Sequence, residues 1–236
     1  METAGLLGFV ASAGDTAFVV FRGTVLPLPG FPYAPDAYLS QLRGWLTNFS
    51  GAPVDPEDHG PGKVHQGFQQ AVCRLRDTGL DLNGRTKGKR QVVWTGHSLG
   101  AALATVAATI TTLPVESRQA IVSFGGPRVG DAAFVASIGV DQRRFVLGRD
   151  MVAVDPPSAL MAPFVAKYAH HGKALPVLQD GESPSTARVI DMIDSQIGLD
   201  EGQKLAGVLI GAVDAPIRDH APVLYAAGCE RRTKGG

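Results

Sequence analysis

The chain has 236 residues, enough for one well-filled domain, and its 22 basic side chains balance 22 acidic ones. A neutral balance provides no long-range field to draw in nucleic acid or an anionic membrane, so neither is an expected partner. The longest apolar run near the C-terminus, "KLAGVLIGAV", is about half of what a bilayer-spanning helix needs, so no transmembrane segment is expected.

The N-terminus shows no basic leader ahead of an apolar run, leaving a cytoplasmic protein or a secreted one with its leader removed as the alternatives. "LLGFVASAGDTAFVVFRGT" at 6–24 reads as two strands joined at Gly14-Asp15, an antiparallel hairpin. The following stretch, 25–45, is too rich in proline for a regular core element and is expected to be a surface flap inserted into a single domain over 1–236. "VHQGFQQAVCRLRD" at 64–77 has helical spacing through Phe68, Val72 and Leu75, and "NGRTKGKR" at 83–90 is expected as a basic surface loop.

From Gln91 the pattern alternates. "QVVWT" is a β-branched apolar run, and past a Gly-His-Ser-Leu-Gly turn come Leu99, Leu103, Val106 and Ile110 at helical spacing. "AIVSF" at 120–124 leads through "GGPRVGD" into a helical "AAFVASIG", and "RFVL" at 144–147 ends in "GRDMVAVDPP". Strands and helices in turn predict a mostly parallel α/β sheet with right-handed crossovers and helices on both faces. Further on, "FVAKYAHHGKALPVL" is a hairpin or a last strand, while "ARVIDMIDSQIG" and "KLAGVLIGAV" are helices. Cys73 and Cys229, too few for a disulfide framework, are expected as free thiols.

The turn at 96–100 carries the chemistry. A serine in a sharp strand-to-helix turn needs small flanks, supplied by Gly96 and Gly100, and is lifted clear of the sheet at a helix N-terminus that favours developing negative charge. A serine hydroxyl attacks poorly unless a base takes its proton, so an acid and a histidine should follow. Asp150, just past the strand "RFVL", suits the acid better than Asp155, which stands before two prolines. Among the later histidines, His170 and His171 would point to opposite sides of an extended segment. His220 lies in a late loop free to fold back over the sheet edge, where Asp219 is positioned to cap a final helix. His65, His97, His170 and His171 are expected to be satisfied structural residues.

With these residues in hand the chain resembles the lipase class 3 family of triacylglycerol lipases and related esterases. The resemblance rests on "VVFRGT", "WLTNFS", "VHQGF", "TGHSLGAALA", "FGGPRVGD", "GRDMVAVDPP" and "DHAPVLY", in that order along nearly the whole chain. It implies an α/β-hydrolase fold, a nucleophile at Ser98, an orienting acid at Asp150 and a base at His220. It also implies oxyanion donors at the backbone N–H groups of Thr24 and Leu99, and a lid role for the flap, with no metal or organic cofactor. The flap is longer and richer in proline than the family's usual short lid helix. Its Phe31, Tyr33, Tyr38 and Trp45 either line an acyl-chain groove or pin the flap down. Little chain precedes the hairpin, where fungal members carry a helix. The C-terminal segment or a partner subunit is expected to cover that face, unless the helix has been trimmed away. The implied activity is hydrolysis of acylglycerols at a lipid–water interface; an esterase for short-chain or aromatic acyl groups, or a silent lipid-binding protein on the same fold, are the alternatives. Nothing in the sequence bears on oligomeric state.

Overall fold

A computed structural model of the chain describes residues 8–23, 53–77, 81–113, 117–153, 168–197 and 218–234. β1 (Gly8–Ala13) and β2 (Thr16–Phe21) form the N-terminal hairpin, with Gly14 at φ 54° in its turn. β3 (Pro53–Val54) and β4 (Val64–His65) make a small antiparallel pair that leads into α1 (Gln66–Asp77). α2 (Leu82–Thr86) precedes β5 (Gln91–His97) and α3 (Leu99–Ile110). β6 (Arg118–Phe124), α4 (Ala132–Ser137), β7 (Gln142–Val146) and β8 (Lys173–Pro176) follow, and α5 (Thr186–Ile197) and α6 (Pro222–Lys234) come last.

The main sheet has the order β1-β2-β5-β6-β7-β8, parallel throughout except for the antiparallel β1–β2 pair at one edge. The expected parallel sheet with an added hairpin is therefore present, and "KALP" within the ambiguous 164–178 stretch is its last strand, at the other edge. The basic 83–90 stretch departs from expectation. Its first four residues belong to α2, because Asp81 caps the helix by accepting from the Gly84 N–H at 2.7 Å.

Side-chain alternation sorts the sheet into two faces. Val92, Trp94 and Ile121 bury on one side with Leu103 and Val106 of α3 and Phe68 and Val72 of α1. On the same side Gln142 Nε2 donates to Ser123 Oγ at 2.9 Å and Thr105 Oγ1 at 3.1 Å, tying β6 and β7 to α3. Phe124 and Phe145 point the other way and pack against a second cluster formed by Val189 and Met192 of α5 and Leu224 and Tyr225 of α6. Helices thus cover both faces, and five strands present their carboxyl ends at one rim. Neither Cys73 nor Cys229 is in a disulfide. No helix among the described residues is long and apolar enough to cross a membrane.

Candidate active site

β5 hands over to α3 at Ser98, whose φ of 56° and ψ of −124° are unusual for a residue with a side chain. The strain is held by a crossing of backbones that only glycine permits. A Cβ on Gly96 would lie 2.4 Å from the Gly100 carbonyl carbon and 2.7 Å from the Phe21 carbonyl oxygen, and one on Gly100 would lie 2.2 Å from that same oxygen. The Ser98 N–H donates to the Phe124 carbonyl at 3.0 Å, so β6 fixes the turn from the other side. Ser98 occupies the cap position of α3 without its side chain capping the helix, which leaves Oγ for another partner. The Leu99 N–H stands in the first turn of a twelve-residue helix, where amides have no intrahelical acceptor and the helix dipole adds positive potential.

That partner is His220. Its Nε2 lies 2.8 Å from Ser98 Oγ, and its Nδ1 lies 2.8 and 2.9 Å from the two carboxylate oxygens of Asp150. Asp150 is fully buried, and Ser98 and His220 are 5% and 2% exposed, so the contacts are shielded from water. Asp150 Oδ1 also accepts from the Val152 N–H at 2.8 Å and the Ala153 N–H at 3.3 Å, and Oδ2 accepts from the Tyr225 hydroxyl at 2.6 Å. Burial works to raise this carboxyl's pKa, but the His220 ring, the Tyr225 hydroxyl and the Val152 amide together hold it below 3.8, so it stays ionised. An ionised acceptor at Nδ1 keeps the proton there and leaves Nε2 free to accept from the serine.

Room for this cluster comes from Gly125, at φ 56°, where a Cβ would meet Asp150 Oδ2 at 2.7 Å and His220 Nδ1 at 3.2 Å. His97 completes the surroundings, its ring centroid 4.7 Å from that of His220. Burial, with the neighbouring His220 adding to it, pushes the His97 pKa down to about 3, so this ring is a neutral wall and not a second base.

Sequence reasoning singled out Ser98, Asp150 and His220, and the fold brings them together; Leu99 adjoins them. Thr24, Phe31, Tyr33, Tyr38 and Trp45, together with the whole 25–45 stretch and Asp155, lie outside the described residues. Two sequence expectations change. Asp219 does not cap α6, since its carboxylate turns instead to Arg149, Ser183 and Arg218. Of the four histidines expected to be satisfied, His171 has backbone carbonyls on both nitrogens, of Val135 at 3.0 Å and Val140 at 2.7 Å, and His65 accepts from the Phe68 N–H. His97 Nε2 and both nitrogens of His170 are buried without a hydrogen-bond partner among the described residues. Tyr225 was missed, although "DHAPVLY" contains it. It lies in the first turn of α6, where side chains lean toward the helix N-terminus and hence toward the rim.

Chemically, an alcohol, an imidazole and a carboxylate in one buried line, beside the start of a helix, can generate a nucleophile and stabilise the oxyanion it creates. The family model described as Lipase (class 3) matches residues 18–159. A lipase of Rhizomucor miehei is 30% identical over 185 residues, which are 74% of this chain and 44% of that protein. The chloroplastic phospholipase A(1) DAD1 of Arabidopsis thaliana is 35% identical over 131 residues, 49% of this chain and 27% of that one. The chain thus spans less than half the length of either relative. The solved structure of the Rhizomucor miehei triacylglyceride lipase superposes with a TM-score of 0.52 at 28% identity, covering 72% of this chain and 61% of that one. A solved triacylglycerol lipase described as having a serine protease triad as its catalytic centre matches at a TM-score of 0.50 and 28% identity, covering 69% and 57% of the two chains.

Proposed function

We propose, from the premise that this chain belongs to the class 3 lipase family and shares its α/β-hydrolase fold, that it is a serine carboxylester hydrolase acting on acylglycerols. The observation that carries the reading is the His220 imidazole held between Ser98 Oγ and the Asp150 carboxylate. Ser98 Oγ attacks the ester carbonyl carbon as its proton passes to His220 Nε2, giving a tetrahedral oxyanion. The Leu99 N–H, with that of Thr24, stabilises the oxyanion; loss of one such donor costs about 3 kcal/mol of transition-state binding. The intermediate collapses to an acyl-serine, and the alcohol leaves with the proton from Nε2. Water then attacks the acyl-serine, giving up a proton to the same nitrogen, and Ser98 is released with the free acid. Asp150 holds the imidazole in one tautomer and offsets its positive charge without taking the proton.

Residues 1–236 form one domain on this reading, with 25–45 as a lid or flap insertion. Its Phe31, Tyr33, Tyr38 and Trp45 provide apolar surface for an acyl chain at a lipid–water interface. A second reading, favoured by the plant relative named as a phospholipase A(1), takes a glycerophospholipid as the ester.

Replacing Ser98 by Ala is the direct test. Turnover of a dissolved p-nitrophenyl ester is expected to fall by about 10⁴-fold or more, and a variant that keeps the parental rate overturns the mechanism. Rates on emulsified triglyceride, phosphatidylcholine vesicles and dissolved butyrate esters separate the substrate classes. A rise in rate above the solubility limit of a triglyceride is the outcome expected of a lipase.

A further inference from the structure

We propose that Asp219 is a positioning residue that holds the base in register with the acid, a role that rests on the functions proposed above for His220 and Asp150. Asp219 is fully buried and directly precedes His220 in the chain. Its Oδ2 accepts from the backbone N–H of Arg149, the residue directly preceding Asp150, at 3.0 Å. The same oxygen accepts from the Ser183 hydroxyl, and Oδ1 accepts from Arg218 Nη2 at 3.1 Å and Nε at 3.3 Å. Arg218 in turn donates to the Pro184 carbonyl at 2.9 Å.

One carboxylate therefore joins three loops: the turn after β7 that carries the acid, the loop before α5, and the loop before α6 that carries the base. The surrounding backbone is shaped to admit it. Gly148 sits at φ 47°, and a Cβ there would meet Asp219 Oδ2 at 2.3 Å and the Ser183 Cα at 2.6 Å. The tie and the catalytic contact run side by side between the same two loops, Asp219 to Arg149 and His220 to Asp150. Such a connection limits how far Nε2 can drift from Ser98 Oγ, and a misplacement of about 1 Å at reacting atoms costs about 10²-fold in rate.

An amide cannot replace this carboxylate. Four donors from three residues converge on the two oxygens, and an Asn side chain would turn an NH2 group toward either the Arg218 guanidinium or the Arg149 N–H. A bulk stabilising role alone and a positioning role predict different kinetics. The first lowers thermal stability and leaves the turnover of folded protein intact. The second lowers kcat while KM for a small dissolved ester stays put, because the fully buried Asp219 carboxylate is closed to substrate.

The test uses the full chain, with Asp219→Asn and the milder Ser183→Ala, which removes one donor and keeps the ion pair. Both are assayed on dissolved p-nitrophenyl butyrate well below the melting temperature, beside the wild type and Ser98→Ala. The expected result is a fall in kcat of about 10- to 100-fold for Asp219→Asn and a smaller fall, about threefold, for Ser183→Ala, with KM within about twofold in each. The rate of Ser98 labelling by a fluorophosphonate should drop in parallel with kcat, since it needs the same aligned base. If Asp219→Asn does not fold, Ser183→Ala decides alone. Folded variants with unchanged kcat and labelling rate overturn the positioning role. An active Ser98→Ala protein would instead overturn the reading on which it rests.

Discussion

An imidazole relays protons well only when one nitrogen is committed and the other is free, and the surroundings of His220 enforce that division. Nδ1 faces a buried anion whose other bonds, to Tyr225 and to the Val152 and Ala153 amides, prevent it from turning away. Asp150→Asn keeps the shape but loses the charge and offers an amide donor where Nδ1–H needs an acceptor. On the proposed mechanism kcat should fall by about 10³- to 10⁴-fold with little change in KM, measured on a dissolved ester. His97 gives a second residue-scale expectation. Its folded pKa of about 3 is below the ordinary 6.5, so between those values unfolding takes up a proton. Its contribution to stability is fully present above about pH 6.5 and is lost as pH falls toward 3, with a slope of at most about 1.4 kcal/mol per pH unit. Asp150, also depressed, acts in a lower window, its contribution being present above about pH 3.8 and lost below that. Urea midpoints measured from pH 7 to pH 4 should therefore fall, and His97→Asn should reduce the decline without abolishing it, since burial also holds His170 down at about 3; an unchanged slope in that variant would locate the proton uptake elsewhere.

At the scale of elements, the strand-turn-helix at 91–110 is where local rules and long-range packing meet. Gly100 is a poor helix former, and by propensity alone Ala would be better by about 1 kcal/mol. The crossing of β2 overrides propensity, since a Cβ at Gly100 would strike the Phe21 carbonyl at 2.2 Å. Gly100→Ala is expected to destabilise by about 1–3 kcal/mol and to reduce turnover by tilting the Leu99 N–H, whereas Gly139→Ala, with open space around it, should stay within about 0.5 kcal/mol of wild type. Denaturant titration of the two variants is the check, and equal effects would mean that the crossing is not tight. The same elements show what was legible beforehand. Apolar spacing placed β5, α3, β6 and β7, and the glycine pair marked the turn. From sequence α2 reads as loop, because its five residues depend on a cap at Asp81 and carry too little apolar spacing to register a period.

The whole molecule has its core divided by the sheet, with α1 and α3 on one side and α5 and α6 on the other. The serine turn is anchored to the first cluster and the loop carrying His220 to the second, through Leu224 and Tyr225, so the site's geometry depends on both halves being packed on the same strands. Leu103 and Leu224 are each fully buried, one in each cluster, and truncation of either to Ala should cost about 2–5 kcal/mol. If 1–236 is one domain, both variants shift a single urea transition. A transition split in two, with each variant moving only one part, would show that the clusters unfold independently.

Composition and local pattern alone were sufficient to specify an α/β chain with an antiparallel hairpin at its start, and to single out the Ser98 turn between two glycines, because periodicity and turn glycines act over a few neighbours. Position after a strand and in a late loop favoured Asp150 and His220, and the motif order along the chain carried the family and implied the same pair. What only the tertiary structure decided is their convergence across 70 and 122 residues of sequence, along with the parts taken by Tyr225, Gly125 and Asp219. Those depend on strand order and on which way a side chain faces at the sheet rim, and these are set by long-range packing, which leaves no periodic trace in the residues it joins.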